Sequence, residues 1–174
     1  MKTRKGFTLI ELIVVIAIIG VLAAILVPSM LGYVKKSKIS SANDAAASVQ
    51  KAFNTALIEL DEAGVAVGDG EYTHARETAT AVDDVTAGPI VSGDKKLCDK
   101  IMNYMDAGKK VQFNAQVTGG VCVAVAASPD GKYLGTYPAG VVTVDNFGKD
   151  KTYEVNDESF TKALAAAVKK TTDK

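Results

Sequence analysis

One acid in this sequence stands where acids are costly. Glu11 lies within the run Phe7 to Val27, twenty-one residues that contain no other charge. A carboxylate in an apolar span is expensive unless something pairs it, which makes Glu11 a candidate functional residue. The other reactive groups are sparse. Cys98 and Cys122 are the two cysteines. In an exported domain such a pair favours a disulfide. The alternative is two small buried thiols, and the sequence gives no distance between them. His74 is the single histidine and reads as a solvated loop residue; no second histidine or cysteine pair completes a zinc pattern. Asp145, Asn146 and Asp150 cluster without the spacing of a calcium loop and read as a surface turn. Val67-Gly68-Asp69-Gly70 lacks the lysine of a phosphate loop. Asp83-Asp84 reads as a solvated loop edge. Tyr72, Tyr133, Tyr137 and Tyr153 offer either a sugar-stacking surface or half-buried sheet positions. No nucleophile, base and orienter assemble, so a non-enzymatic chain is expected, with no catalytic residue, metal or cofactor.

The element that positions Glu11 is a helix. As a helix, Phe7 to Val27 spans about 30 Å, the thickness of a bilayer's hydrocarbon core. Helical spacing continues past Pro28, with apolar or small residues at Ala42, Ala46, Val49, Phe53, Ala56 or Leu57, and Leu60. Asp44, Gln50, Lys51, Asn54 and Glu59 occupy the opposite face. Gly64 is the expected C′ residue. One helix from Phe7 to Ala63, about 85 Å long, is therefore predicted, bent near Pro28 because its ring removes a hydrogen bond. The first half is apolar all round and needs lipid or other subunits. The second half has one apolar face and needs a domain of its own chain.

The remainder reads as that domain. Val65 to Gly93 is an extended loop. Asp94 caps a short helix, Lys95 to Ala107, with Leu97, Ile101 and Met105 on one side. Val111 to Val117 alternates as a half-buried strand, Gly119-Gly120 turns, and Val121 to Ala127 is a strand apolar on both faces. Ser128-Pro129-Asp130-Gly131 is a turn, followed by strands at Lys132 to Tyr137, Val141 to Val144 and, at an edge, Lys151 to Val155. Asp157 caps a terminal helix, Glu158 to Lys170, that turns Phe160, Leu164 and Val168 to one side. The fold class is α+β: a long helix packed on an antiparallel meander, with a long αβ-loop and a C-terminal helix.

Formal charge sums to zero, but unevenly. Lys2, Arg4 and Lys5 precede the apolar run and Lys35, Lys36 and Lys38 follow it. From Ile39 onward there are 14 bases against 19 acids, a net of −5. Bulk-charge affinity for nucleic acid is not expected of such a domain.

Three readings fit the opening. A secretory signal peptide would need a shorter run followed by small residues, but Ala23-Ala24 lies inside the run. A plain anchor, held with its N-terminus in the cytoplasm by the basic residues, leaves Glu11 unexplained. The third reading is a resemblance. A basic hexapeptide ending in Gly6, then Phe7-Thr8-Leu9-Ile10-Glu11, resembles the class III signal of type IV prepilins. The resemblance is close over about the first 55 residues and architectural beyond.

It implies that a prepilin peptidase cuts Gly6-Phe7 on the cytoplasmic side and that Phe7 is then N-methylated. Gly6 suits such a cut, having no side chain to obstruct the protease. It further implies that Glu11 pairs with the N-terminal amine of a neighbouring subunit and sets axial register; the alternative is a carboxylate that snorkels to the headgroups. Pro28 falls where type IVa-like pilins bend their helix. The division becomes leader 1–6, membrane and filament-core helix 7–28, amphipathic half 29–63 and globular head 64–174. The implied role is a structural subunit, a major pilin, first in the cytoplasmic membrane and then in a surface fibre for adhesion or twitching motility. Its partners would be copies of itself, the peptidase, an assembly platform and cytoplasmic ATPases. The rival readings are a pseudopilin of a secretion or DNA-uptake machine and a minor pilin with a surface ligand. Two departures stand out: Cys122 lies too far from the end to close a C-terminal disulfide loop, and a C-terminal helix is unusual.

Overall fold

Helix α1 runs from Leu9 to Glu62, 54 residues, and continues through Pro28. It belongs to a computed structural model that describes residues 7–74, 85–87, 94–105, 111–148 and 152–173. The chain divides into two compact units, Met1–Lys36 and Ser37–Lys174. In the first unit every described residue is solvent-exposed.

The second unit holds the core. Its part of α1 ends as the sequence predicts. Gly64 takes φ 71°, its N–H donates to Asp61 O at 2.9 Å, and Val65 N–H donates to Leu60 O at 2.8 Å. This double closure satisfies carbonyls that the helix leaves open, and glycine adopts the required conformation without strain.

The sheet contains β1 (Gly70–His74), β2 (Val85–Ala87), β3 (Gln112–Thr118), β4 (Val121–Ser128) and β5 (Gly135–Tyr137). Every neighbouring pair is antiparallel, in the order β2-β1-β3-β4-β5. Gly119 and Gly120, both with positive φ, join Thr118 to Val121 in a two-residue hairpin turn. Two further helices complete the unit, α2 (Asp94–Asn103) and α3 (Asp157–Thr172).

The sheet is buried on both faces. One face joins Ala46, Val49, Phe53, Leu57 and Leu60 of α1 to Tyr72, Phe113, Val125, and Leu97 and Ile101 of α2. Phe53 meets Tyr72 and Phe113 edge-on, with ring centroids 5.9 and 5.6 Å apart. The other face carries Ala124, Ala126 and Leu134 against Phe160, Ala163, Leu164 and Ala167 of α3, which lies on β3, β4 and β5. A bulge serves both faces. Val117 pairs with Cys122 while Gln116 pairs with Ala124, so Val123 is an extra residue on β4. Cys122 therefore sits with the α1 cluster and Ala124 with the α3 cluster.

Several expectations change. The stretch 65–93, read as a loop, contains β1 and β2; β1 is an inner strand because β3 pairs with it, so only β3-β4-β5 is a meander. The short helix ends at Asn103 rather than Ala107; residues 106–107 lie outside the described ones. The strand Lys132–Tyr137 shrinks to β5, because Asp130 Oδ1 accepts from Lys132 N at 2.9 Å and Tyr133 N at 3.0 Å, in a turn. Val141–Val144 is not a strand. The Asn146 side chain takes its backbone groups, accepting from Thr143 N at 2.7 Å and donating to Val141 O at 2.8 Å. Residues 152–155 are turns leading into α3. The cap of α3 is Asn156 rather than Asp157: Asn156 Oδ1 accepts from Ser159 N at 2.8 Å.

The polar face of α1 is also not simply solvated. Asn43 Oδ1 accepts from Thr136 N of β5 at 2.8 Å. Asn54 Oδ1 accepts from Cys122 N at 2.8 Å, and Gln50 Nε2 donates to Cys122 O at 3.2 Å. Glu59 bonds Lys100 and Tyr104, at and beyond the end of α2. Asn43, Gln50 and Asn54 thus satisfy backbone groups that sheet pairing leaves over. Beside Asn43 the helix and β5 touch backbone to backbone. A Cβ on Gly135 would lie 2.2 Å from the Ala42 carbonyl carbon and 2.3 Å from Asn43 N. Gly135→Ala is therefore expected to destabilise the head by about 1–3 kcal/mol or more, read as a lowered urea midpoint. An unchanged midpoint would refute the close approach.

Candidate processing and assembly site

The start of α1 explains the placement of Glu11. Thr8 is the last residue before the helix and Glu11 the third within it. Thr8 N–H donates to Glu11 Oε2 at 2.9 Å, the Thr8 hydroxyl donates to the same oxygen at 2.7 Å, and Glu11 N–H donates to Thr8 Oγ1 at 3.3 Å. This is a reciprocal capping box, in which two otherwise open helix donors are satisfied by side chains. The carboxylate also meets the positive end of the helix dipole. A helical side chain leans toward the N-terminus, so Glu11 reaches back toward Phe7, which is 84% exposed. Among the described residues Oε1 of Glu11 has no partner. The Thr-x-x-Glu signature of this box stands in the sequence at Thr8 and Glu11.

Beyond the box, the first half of α1 presents apolar side chains on all sides. It belongs to the one described helix long and apolar enough to cross a membrane, and none of this apolar stretch is buried. An exposed apolar surface of this size needs lipid or other protein to cover it. Within it the Ser29 hydroxyl donates to Ile25 O at 3.4 Å, one residue past Pro28.

The remaining candidates are scattered. Gly6 and the leader residues Lys2, Arg4 and Lys5 lie outside the described residues, as do Asp83, Asp84 and Asp150. Cys122 is a free thiol, buried between α1 and the sheet; Cys98 is on α2, and its side chain is not among those described. Burial pushes the Cys122 thiol up from its ordinary value near 9 to about 12, so it stays neutral and unreactive.

His74 is not a solvated loop residue: it is 5% exposed, on an inner strand, with its ring 5.1 Å from that of Phe113. It is buried because β1 pairs with β3, setting His74 opposite Phe113. Tyr72 is buried and donates to Gly68 O at 2.6 Å. Tyr133 stacks on Phe147 at 5.0 Å, and Tyr133, Tyr137 and Tyr153 are all half-buried. These are packing positions within the sheet and its loops. Among the described residues no three His, Cys, Asp or Glu side chains converge to hold a metal.

Comparison with known proteins bears on the same N-terminal stretch. A family model described as the prokaryotic N-terminal methylation motif matches residues 1–27. The chain is 37% identical over 86 residues to a type IV major fimbrial protein, FimA, of Dichelobacter nodosus, covering 45% of this chain and 55% of that one. It is 34% identical over 98 residues to a fimbrial protein of Pseudomonas aeruginosa, 55% and 64% of the two chains. It is 48% identical over 59 residues to a type IV major alpha-pilin of Moraxella bovis, 34% and 37% of the two. The matches thus span between about a third and two thirds of these relatives' lengths. No solved structure matches the chain significantly. These findings support the type IV pilin family.

Thr8→Ala removes the hydroxyl half of the box. It is expected to cost the first turn about 0.5–2 kcal/mol, read as faster hydrogen exchange at the Glu11 amide in detergent micelles, with Thr8→Ser restoring protection. Equal exchange in all three chains would contradict the box.

Proposed function

We propose that the chain is the structural, and major, subunit of a type IV pilus. Residues 1–6 act as a leader that a prepilin peptidase removes at Gly6-Phe7. Phe7 is then the methylated N-terminus. Residues 7–28 hold the precursor in the cytoplasmic membrane, N-terminus inward, and later form the fibre core. Residues 29–63 carry the head, 64–174, which faces outward from a helical homopolymer. The assembly platform and ATPases belong to other chains, and the finished surface fibre serves adhesion or twitching motility.

One observation carries this reading: the Thr8–Glu11 box opens a helix whose apolar first half its own chain does not bury. Its membrane-length start is also the stretch that matches the methylation motif. The box gives the carboxylate two donors in an environment where an unpaired charge is costly. Its open oxygen is available to the amine of a neighbouring subunit. That amine exists only after cleavage, so processing and assembly become linked. Because lipid is as apolar as a neighbouring helix, packing and this ion pair have to guide the transfer from membrane to fibre.

Sheared surface fibres are expected to contain this chain as a dominant species lacking residues 1–6 and carrying one added methyl group, by intact mass. Processed chain found only in the membrane would favour a pseudopilin, and uncut chain would leave a plain anchor. Glu11→Ala is expected to be cut normally yet to enter fibres poorly; a normal fibre yield would remove Glu11 from register setting.

A further inference from the structure

Three basic residues, Lys35, Lys36 and Lys38, sit on the unexpected side of the apolar run, and the first two lie nearest to it. Cytoplasmic flanks of membrane helices ordinarily carry the excess of Lys and Arg. Here Lys35 and Lys36 follow the run, and no acid occurs between Glu11 and Asp44. Removal of residues 1–6 would strip Lys2, Arg4 and Lys5 from the inner side and leave the outer lysines in place. Both Lys35 and Lys36 are exposed. Among the described residues neither joins an ion pair, the bridges being Lys100–Glu59 and Lys162–Glu158.

Exposed apolar surface continues beyond Pro28 through Met30, Leu31, Tyr33 and Val34, and the Tyr33 ring is 77% exposed. From Leu9 to Val34 the helix is about 39 Å long at ~1.5 Å per residue, and Phe7 and Thr8 extend it inward. A hydrocarbon core is about 30 Å thick, and the bilayer with its headgroups about 40–45 Å. With Phe7 at the inner boundary, the turn 33–36 reaches the outer headgroup layer. Tyrosine favours that layer, and lysine stems lie along apolar surface while their ammonium groups reach the phosphates.

Resting on the membrane-anchored reading above, we propose that Tyr33, Lys35 and Lys36 form a binding turn for anionic phospholipid headgroups in the outer leaflet of the cytoplasmic membrane. The turn fixes the depth of the unassembled subunit. Charge complementarity selects the lipid: two unpaired cations in the headgroup plane attract phosphate-bearing lipids of net negative charge over zwitterionic ones. The contact is released when the subunit leaves the bilayer, and salt weakens it.

The test uses the full chain in detergent micelles with equal amounts of phosphatidylglycerol and phosphatidylcholine, read by native mass spectrometry. Phosphatidylglycerol adducts are expected to dominate. Their retention should fall on the order of fivefold for each lysine removed in Lys35→Gln and Lys36→Gln, and survive in the Lys→Arg pair. Excess inorganic phosphate should leave the adducts in place; displacement would make this a simple phosphate site and overturn the lipid assignment. Equal retention of both lipids by the unaltered chain would overturn it without reliance on any variant. So would a preference that persists when both lysines are Gln. Insertion into phosphatidylcholine vesicles, scored by resistance to alkaline extraction, separates the two layers of the argument. An inserted chain without lipid preference refutes the headgroup turn alone, and a chain that does not insert refutes the anchor with it.

Discussion

The structure depends on unequal burial along a single helix. Over its first unit α1 exposes every side chain, most of them apolar. From Ile39 onward it supplies nine buried residues to the head. Hydrophobic burial is the main favourable term in folding, so these two stretches have different obligations. The second is satisfied by its own chain. The first is not, and a lone chain in water would leave that surface uncovered. Glu11 and the lysines at 35 and 36 stand at the two ends of this uncovered apolar stretch.

The head meets a different constraint. Its sheet is covered on both faces, so β4 has little room for polar side chains, and Cys122, Ala124, Val125, Ala126 and Ala127 are all buried. Small residues let two helices approach one strand from opposite sides. Where α1 meets β5, at Gly135, even a Cβ has no place. The polar groups are drawn in as well. Asn43, Gln50 and Asn54 recur at intervals that keep them on one side of α1, and each bonds a backbone group of β4 or β5. Their worth lies in the cost of leaving a buried N–H or carbonyl unpaired, which exceeds the net gain of an ordinary hydrogen bond.

What the sequence disclosed followed from how local each signal is. The apolar run, the glycine that ends α1, the Gly119-Gly120 hairpin and the stripe of α3 depend on residues a few positions apart, and all are legible. Strand β1 is not, because Gly70 to His74 becomes a strand through pairing with β3, some 40 residues away. His74 was misread for that reason alone. The expected strand at Val141–Val144 had suitable residues, but Asn146 offered the same backbone groups a nearer partner. At the candidate site the position of Glu11 was evident while its local partner was not. A Thr-x-x-Glu spacing is common, and it becomes informative only once the helix is known to begin at Leu9.

The side chains that α1 lends to β4 have a consequence for crowding. Beyond the reach of β5, the outer rim of β4 would offer Cys122 N–H and C=O to any extended peptide, since β5 pairs only with Val125 to Ala127. Open rims of this kind recruit strands from other molecules. Asn54 and Gln50 occupy both groups, so at that point the rim imitates a strand already paired. A second copy of the chain is thereby denied one place to add a strand.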